Sequence, residues 1–448
     1  NLMNTNKYDE IIKKNYRLKI THLNDQGYGV ASNLLINKII KKKIVLIVPG
    51  TLAGEIILAK PIKIINEKMF FRISKVLTSN QNRKKQDCKK FLICGGCDFR
   101  HVNELWLQSY KLIDLNDFYK KLKIKFQVLP IFQSNNYSRQ RASFSAEIKN
   151  GVFKIGFMSI FENQIVELNE CKTLSRSLLK IFQSFKSKLS NFIIKKNFKF
   201  KIQINLLQKG GDVLFDLHSF SAEEVFYIDE LLNFLISINV IRVSFKQNTH
   251  LSIFPFNNEH KNDLGKLNGI QLYSFPQPGG FLQATKSGER NIIKYVLSAV
   301  KGSTKVIDLF CGSGTISIPL NQITKTICVD SNKAALEGLN KGLKFNTSKH
   351  KYEIIHQDLL KRPIEKKLLN EVDSIVLNPP FKGAKNQINE IVKSDVNIVV
   401  YVSCNFKTFE RDAKVLLSND FMIDWIKPID QFPYTNHLEI VAKFVKIR

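Results

Sequence analysis

Apolar and polar positions divide this 448-residue chain into regions of different period. Short alternating runs come first, at Arg17–His22, Gly29–Ala31, Lys43–Val48, Glu55–Ile65 and Lys68–Val76, with turn signals at Asn24-Asp25-Gln26-Gly27 and Pro49-Gly50. Five short strands bounded by turns predict a small β-barrel of oligonucleotide-binding type. A polar linker covers Asn80–Lys90, and helical periodicity runs from about Val102 to Lys123. Between Val128 and Ser274 the two periods mix and fix no topology. From Ser303 onward the pattern is regular. Strands are expected at Lys305–Phe310, Thr326–Val329, Tyr352–His356, Ser374–Leu377, Asn397–Val402, Phe421–Pro428 and His437–Val445. Helices are expected from about Thr315, up to about Phe345 and over Lys407–Ser418. This alternation predicts a Rossmann-like, doubly wound α/β sheet. The chain therefore reads as a barrel at 1–77, a mixed α+β region at 78–275 and an α/β domain at 276–448.

Ligands of open α/β sheets bind outside the carboxyl ends of the strands, so the residues there carry information. Asp308 lies in the first strand, and Phe310-Cys311-Gly312-Ser313-Gly314-Thr315 follows it. Asp330 ends the second strand, Asp358 follows the third, Asn378-Pro379-Pro380 the fourth and Cys404 the fifth. Glycines between strand and helix let a cofactor approach the backbone, and an acid on the next strand accepts from ribose hydroxyls. The loop lacks the third glycine of the dinucleotide fingerprint, and there is no Gly-Lys-Ser/Thr for a triphosphate. A nucleoside-type cofactor without a diphosphate fits it, against the alternative of an ordinary strand–helix turn. Cys404 stands just before a helix, which favours its thiolate; the other reading is a small buried residue. An antiparallel last strand would bring Glu439 to Cys404 across one pocket, a nucleophile beside a base. Otherwise Glu439 is a surface acid on an edge strand.

Charge adds a partner to this picture. Lys plus Arg number 68 against 39 Asp plus Glu, a formal +29 that favours RNA or another polyanion; a coding bias towards Lys, Asn and Ile is the alternative. With 44% hydrophobic and 24% charged residues, disorder is excluded as the main state. No apolar run approaches the roughly 18 residues of a membrane helix, and Asn1–Lys19 has no signal-peptide core. The expectation is a cytoplasmic chain with no membrane partner. Because the first residue is Asn, the true start is expected to be missing.

Seven clustered cysteines argue against a secreted disulfide framework. Cys88, Cys94 and Cys97 have five and then two residues between them, and Cys171 lies far downstream. Thiolates so grouped suit an iron–sulfur cluster or zinc. Cys311 and Cys328 read as packing residues. The stretch Asn135-Asn136-Tyr137-Ser138-Arg139-Gln140-Arg141 suits phosphate and base contacts, or is a solvated charged strand. Arg83-Lys84-Lys85 reads as a solvated or phosphate-facing loop.

Three stretches together resemble the S-adenosylmethionine-dependent RNA 5-methyluridine methyltransferases, most of all the ribosomal-RNA members with an iron–sulfur cluster. They are Asp308-Leu309-Phe310-Cys311-Gly312-Ser313-Gly314, Val402-Ser403-Cys404-Asn405 with Arg411-Asp412, and Asp430-Gln431-Phe432-Pro433-Tyr434-Thr435-Asn436-His437-Leu438-Glu439. The N-terminal barrel is similar to the RNA-binding TRAM module of such enzymes. The resemblance implies a methyltransferase domain in which Cys404 adds to carbon 6 of a uracil in RNA and Glu439 removes the carbon-5 proton. It implies cofactor contacts at Gln283, Phe310, Thr315, Asp330, Asp358 and Asn378. It implies a [4Fe-4S] cluster on Cys88, Cys94, Cys97 and Cys171, and ribosomal RNA as substrate. A monomer is the expectation, although the sequence itself does not give the oligomeric state.

Three positions depart from the family pattern. Asn378-Pro379-Pro380-Phe381 replaces Asp-Pro-Pro-Arg, Thr285 replaces Asn, and Asp330 replaces Glu. The first also resembles the site of amino-group methyltransferases, which need neither Cys404 nor Glu439. A non-catalytic RNA-binding or ribosome-assembly protein is the remaining alternative.

Overall fold

The computed structural model describes residues 14–32, 44–122, 125–256 and 260–447, so the reading of the first 13 residues lies outside the described residues. Two compact units form. The first takes the described residues up to Lys111 with Ile155–Leu168 and Tyr434–Asn436; the second takes Leu112–Lys154, Asn169–Pro433 and the chain from His437.

In the first unit, Tyr16–Leu23, Gly29–Ser32, Val45–Val48, Ile56–Ile65 and Lys68–Thr78 close into a five-stranded barrel. Tyr16–Leu23 pairs antiparallel with both Gly29–Ser32 and Ile56–Ile65, which closes the ring. Leu18, Ile20, Leu46, Val48, Ile57, Ala59, Met69 and Phe71 fill it, as the alternation of inward and outward residues requires. The expected Asn24–Gly27 turn is present, with Asn24 Oδ1 accepting from the N–H groups of Gln26 and Tyr28 at 3.0 Å each. Arg83 is neither solvated nor phosphate-facing, as the sequence reading had it. Its guanidinium is spent on buried Glu55, at 2.5 and 2.7 Å, and on the Gly50 carbonyl. An acid taken out of water needs such a partner.

The single helix expected at Val102–Lys123 is two, Glu104–Lys111 and Ile113–Leu122. They serve different cores, which explains the break. Leu107 and Trp106 of the first helix pack with Phe99 and Leu52 in the first unit. Leu115 and Phe118 of the second helix join the core of the second unit, where Phe118 meets Phe406 and Phe409 edge-on.

The second unit holds the α/β sheet. Nine strands take part, and its main path runs Tyr352–His356, Lys325–Asp330, Lys305–Leu309, Ser374–Leu377, Ile398–Ser403, Glu439–Lys446, Phe421–Asp430 and Gln127–Val128. The first five are mutually parallel, and Glu439–Lys446 is antiparallel to both its neighbours. Ser374–Leu377 is buried throughout, as strands covered on both faces must be. Ile307, Leu309, Ile375 and Leu377 join one core; Val306, Val376, Val400 and Val402 join the other. The strand order reverses at Lys305–Leu309, which fixes the ligand crevice outside its carboxyl end. The helix after the glycine loop is Ser317–Asn321, shorter and later than expected.

Candidate active site

The loop after Lys305–Leu309 is shaped by backbone. Phe310 has φ +63° and Gly312 φ +54°. A Cβ at Gly312 would meet nothing within 4 Å, so glycine there serves the left-handed turn and leaves open space above it. Asp330 holds this shelf. Its Oδ2 accepts from the Gly312 N–H and its Oδ1 from the Asn332 N–H, both at 2.8 Å. Asn332 in turn caps helix Lys333–Phe345. A half-buried carboxylate with lone pairs left over beside an open glycine fits a ribose.

Asp308 lies beneath the shelf, fully buried. Ser317 Oγ donates to its Oδ2 at 2.5 Å, and its Oδ1 has no partner. Burial, reinforced by Asp330, pushes its carboxyl up to about 7. Thr315 and Asn378 border the crevice half-buried, and the Asn378 N–H donates to the Leu309 carbonyl at 3.2 Å. Asp358 is turned to local use, accepting from the Leu360 N–H at 3.1 Å. Cys311 and Cys328 are buried in a cluster with Ile318 and Leu339, in keeping with packing.

Cys404 follows strand Ile398–Ser403, and Glu439 opens the antiparallel neighbour. Ser403 pairs with Ile440, so one further step along the ladder sets Cys404 against Glu439. The thiol is half-buried and the carboxyl almost wholly so. Their charges are coupled. Burial, then the neighbouring Glu439, raises the Cys404 thiol to about 11. Burial raises Glu439 to about 7. The helix-terminus expectation of a lowered thiol pKa is therefore reversed in this state, because desolvation and a nearby carboxylate outweigh the helix dipole.

Gln283 is buried close by. Its Oε1 accepts from Gln431 Nε2 at 2.7 Å, and its carbonyl accepts from Gln140 Nε2 at 3.0 Å. Gln431 Nε2 also donates to Glu439 Oε2 at 3.2 Å. Neither Gln431 nor Gln140 was singled out from the sequence. For Gln431 the available signal was a polar residue following the buried end of strand Phe421–Asp430. Thr285, in place of the family's Asn, N-caps helix Lys286–Ala299 by accepting from the Gly288 N–H at 3.0 Å. Arg141 lies 5.1 Å from the ring of exposed Phe281.

The Arg411-Asp412 pair has a structural task. Asp412 Oδ2 accepts from the Ala384 N–H and the Tyr401 hydroxyl, and Arg411 reaches the Lys382 carbonyl. Asn405 Nδ2 donates to the Phe381 carbonyl at 2.8 Å. The Asn378–Ala384 loop is thereby tied to the segment carrying Cys404, with Phe381 63% exposed.

The predicted metal ligands are placed differently. Cys88, Cys94 and Cys97 belong to the first unit and Cys171 to the second; all are half-buried, and none is in a disulfide among the described residues. The Gly96 N–H points at Cys94 Sγ at 3.4 Å, a donor contact that suits a thiolate ligand. Among the described residues, however, no group of three or more His, Cys, Asp or Glu side chains is gathered to hold a metal ion. No described helix is long and apolar enough to cross a membrane.

Comparison with known proteins follows this geometry. Residues 288–397 match a family model for the methyltransferase small domain. Residues 361–446 match the model for tRNA (uracil-5-)-methyltransferase. An uncharacterised RNA methyltransferase of Zymomonas mobilis is 28% identical over 361 residues, 80% of this chain and 88% of that protein. The 23S rRNA (uracil(1939)-C(5))-methyltransferase RlmD of Alteromonas naphthalenivorans is 24% identical over 452 residues, 98% of this chain and 91% of that one. In fold, the chain matches the crystal structure of Pyrococcus abyssi tRNA (uracil-54, C5)-methyltransferase in complex with S-adenosyl-L-homocysteine. The TM-score is 0.71 at 23% identity, covering 96% of this chain and 99% of that one.

Proposed function

We propose that this chain, which belongs to the S-adenosylmethionine-dependent RNA uracil-C5 methyltransferases, methylates a uridine of large-subunit ribosomal RNA through a transient Cys404–uracil bond. The observation that carries the mechanism is the ladder register that sets Cys404 against Glu439 at the carboxyl edge of the sheet. Carbon 5 of uracil is a weak nucleophile until a thiolate adds next to it. Cys404, its proton passed to solvent, bonds through Sγ to carbon 6, and the electron pair of the ring double bond moves to carbon 5, which would take the methyl carbon as the sulfonium–methyl bond breaks and S-adenosylhomocysteine leaves. Bound S-adenosylmethionine supplies the electrophilic methyl carbon. Glu439 then takes the proton from carbon 5, the carbon-6 to sulfur bond breaks, and the ring double bond re-forms with Cys404 free. The target base must leave any helix to reach so recessed a pair.

Asp330, Gly312 and Phe310 form the cofactor shelf in this reading, with Gln283, Thr315, Asp358 and Asn378 around it. The ribosomal target is supported by the barrel, by the spacing of Cys88, Cys94 and Cys97, and by the 23S rRNA relative, which spans nearly the whole chain. A [4Fe-4S] cluster held by these three cysteines and Cys171 would stabilise and position, and takes no part in methyl transfer. The enzyme works as a cytoplasmic monomer.

Tritium release from RNA labelled at carbon 5 of uracil tests the reading. Release is expected from 23S rRNA with S-adenosylmethionine, and none from Cys404→Ala. Methyl transfer without release would replace this chemistry with amino-group methylation at Asn378. Release from transfer RNA alone would move the substrate. Iron with acid-labile sulfide in anaerobically purified protein would support the cluster, and zinc without sulfide would displace it.

A further inference from the structure

The amide of Gln431 is held on every side. It is 1% exposed. Its Nε2 donates to Gln283 Oε1 at 2.7 Å and to Glu439 Oε2 at 3.2 Å, and its Oε1 accepts from the Ala284 N–H at 3.1 Å. The amide cannot be turned over. Turned over, its nitrogen would meet the Ala284 N–H, two donors face to face at a buried site, and the carboxylate of Glu439 would lose its donor. The room for it is built in as well. A Cβ on Gly288, in the first turn of helix Lys286–Ala299, would come within 2.7 Å of Gln431 Cβ and 3.0 Å of its Oε1. Glycine at 288 thus leaves the space that the glutamine fills.

We infer that Gln431 is a positioning residue that fixes the carboxyl of Glu439 and ties it to Gln283, so that the base and the cofactor wall are held by one amide. The inference rests on the reading of Glu439 as the base. Gln431 supplies the one side-chain hydrogen bond found at that carboxyl among the described residues. Burial raises Glu439, and the Gln431 N–H works against burial by favouring the charged form. The titratable group facing Glu439 is Cys404; Gln431 and Gln283 are neutral. Without the amide donor, the carboxyl gives up its proton only at higher pH.

The sign is fixed by the role. Glu439 and Cys404 both work ionised, so the rate rises with pH in two steps. The ascending limb read here is the lower one, at about 7, which belongs to Glu439; the step at about 11 belongs to Cys404. In Gln431→Met and Gln431→Leu, which keep bulk but lose the donor, the ascending limb should move up by about one pH unit. Activity should recover towards the variant's own plateau above the new limb. The experiment is single-turnover tritium release from carbon-5-labelled ribosomal RNA across pH, each protein scaled to its own plateau. Partial misfolding then lowers the amplitude and leaves the midpoint in place. Binding of S-adenosylhomocysteine, measured by calorimetry, confirms an intact shelf in each variant. A limb that coincides with the parent's, with only the amplitude reduced, would overturn the inference while leaving the uracil reading intact. No release from the parent chain would overturn both.

Discussion

The proposed cofactor shelf and the Cys404–Glu439 pair lie at one edge of one sheet and are prepared in opposite ways. The shelf is complete as it stands. Both Asp330 oxygens are engaged by backbone N–H groups, Asn332 caps the next helix, and Gly312 leaves open space. Nothing need change charge for a nucleoside to settle there. The reacting pair is held back. Burial and then the Glu439 charge put the Cys404 thiol at about 11, and burial puts the Glu439 carboxyl at about 7. On the proposed mechanism both must ionise during turnover, so their charges become affordable only beside a cation or a polarised base. On the proposed reading, binding is built into the resting fold and reactivity is left to the loaded state. Such a division limits chance alkylation of an exposed thiolate, because the thiolate is scarce until ligands arrive.

The largest expected effect breaks the pair itself. Glu439→Gln should lower tritium release by about 10²–10⁴-fold, the usual cost of losing a general base. The same substitution removes the negative charge beside the thiol. Alkylation of Cys404 by iodoacetamide at neutral pH, followed on its own peptide by mass spectrometry, should therefore become faster. Slower alkylation in Glu439→Gln would show that the two groups are not electrostatically coupled, and the contrast with the shelf would lose its basis.

A smaller effect is expected on the shelf. In Asp330→Asn the Gly312 N–H meets an amide in place of a carboxylate, and a ribose loses a charged acceptor. A hydrogen bond to a charged group contributes about 1.5–3 kcal/mol, so S-adenosylhomocysteine should bind about 10- to 100-fold more weakly. Alkylation of Cys404 in the unliganded protein should stay at the parental rate. A change there would mean that the shelf and the pair are one electrostatic unit.

Much of this was legible in the sequence, for reasons that can be located. Strands such as Ser374–Leu377 are continuous apolar runs because both faces are covered, and the carboxyl ends of such strands advertise their polar residues. Asp330 and Cys404 were visible for that reason. The position of Glu439 followed once the last strand was taken as antiparallel. The protonation of Cys404 was not legible. The helix start that lowers a thiol's pKa can be read from sequence, whereas burial and the Glu439 charge arise only from packing. The part proposed for Gln431 escaped for a similar reason, since a glutamine has no period or spacing, and that part depends on three partners from two segments. The break between Glu104–Lys111 and Ile113–Leu122 was hidden because one apolar stripe serves two different cores. Arg83 looked like part of a surface run until buried Glu55 gave it a partner.

The smallest expected effect concerns Thr285, which stands between the two regions. Its Oγ1 caps helix Lys286–Ala299 and lies 2.8 Å from Ser134 Oγ. Thr285→Ala removes the cap, at about 1 kcal/mol, which in a chain of this size lowers the melting temperature by about 1 °C. Thr285→Asn puts back a side chain that caps equally well, so it should melt within about 0.3 °C of the parent. Both should bind S-adenosylhomocysteine as the parent does, because the shelf takes its hydrogen bonds from Asp330 and not from this helix. Equal stability of the Asn and Thr forms, with unchanged binding, would make the departure a cap-for-cap exchange. Tighter binding by Thr285→Asn would instead assign this position to the cofactor, and would extend the shelf one residue pair beyond Gln283.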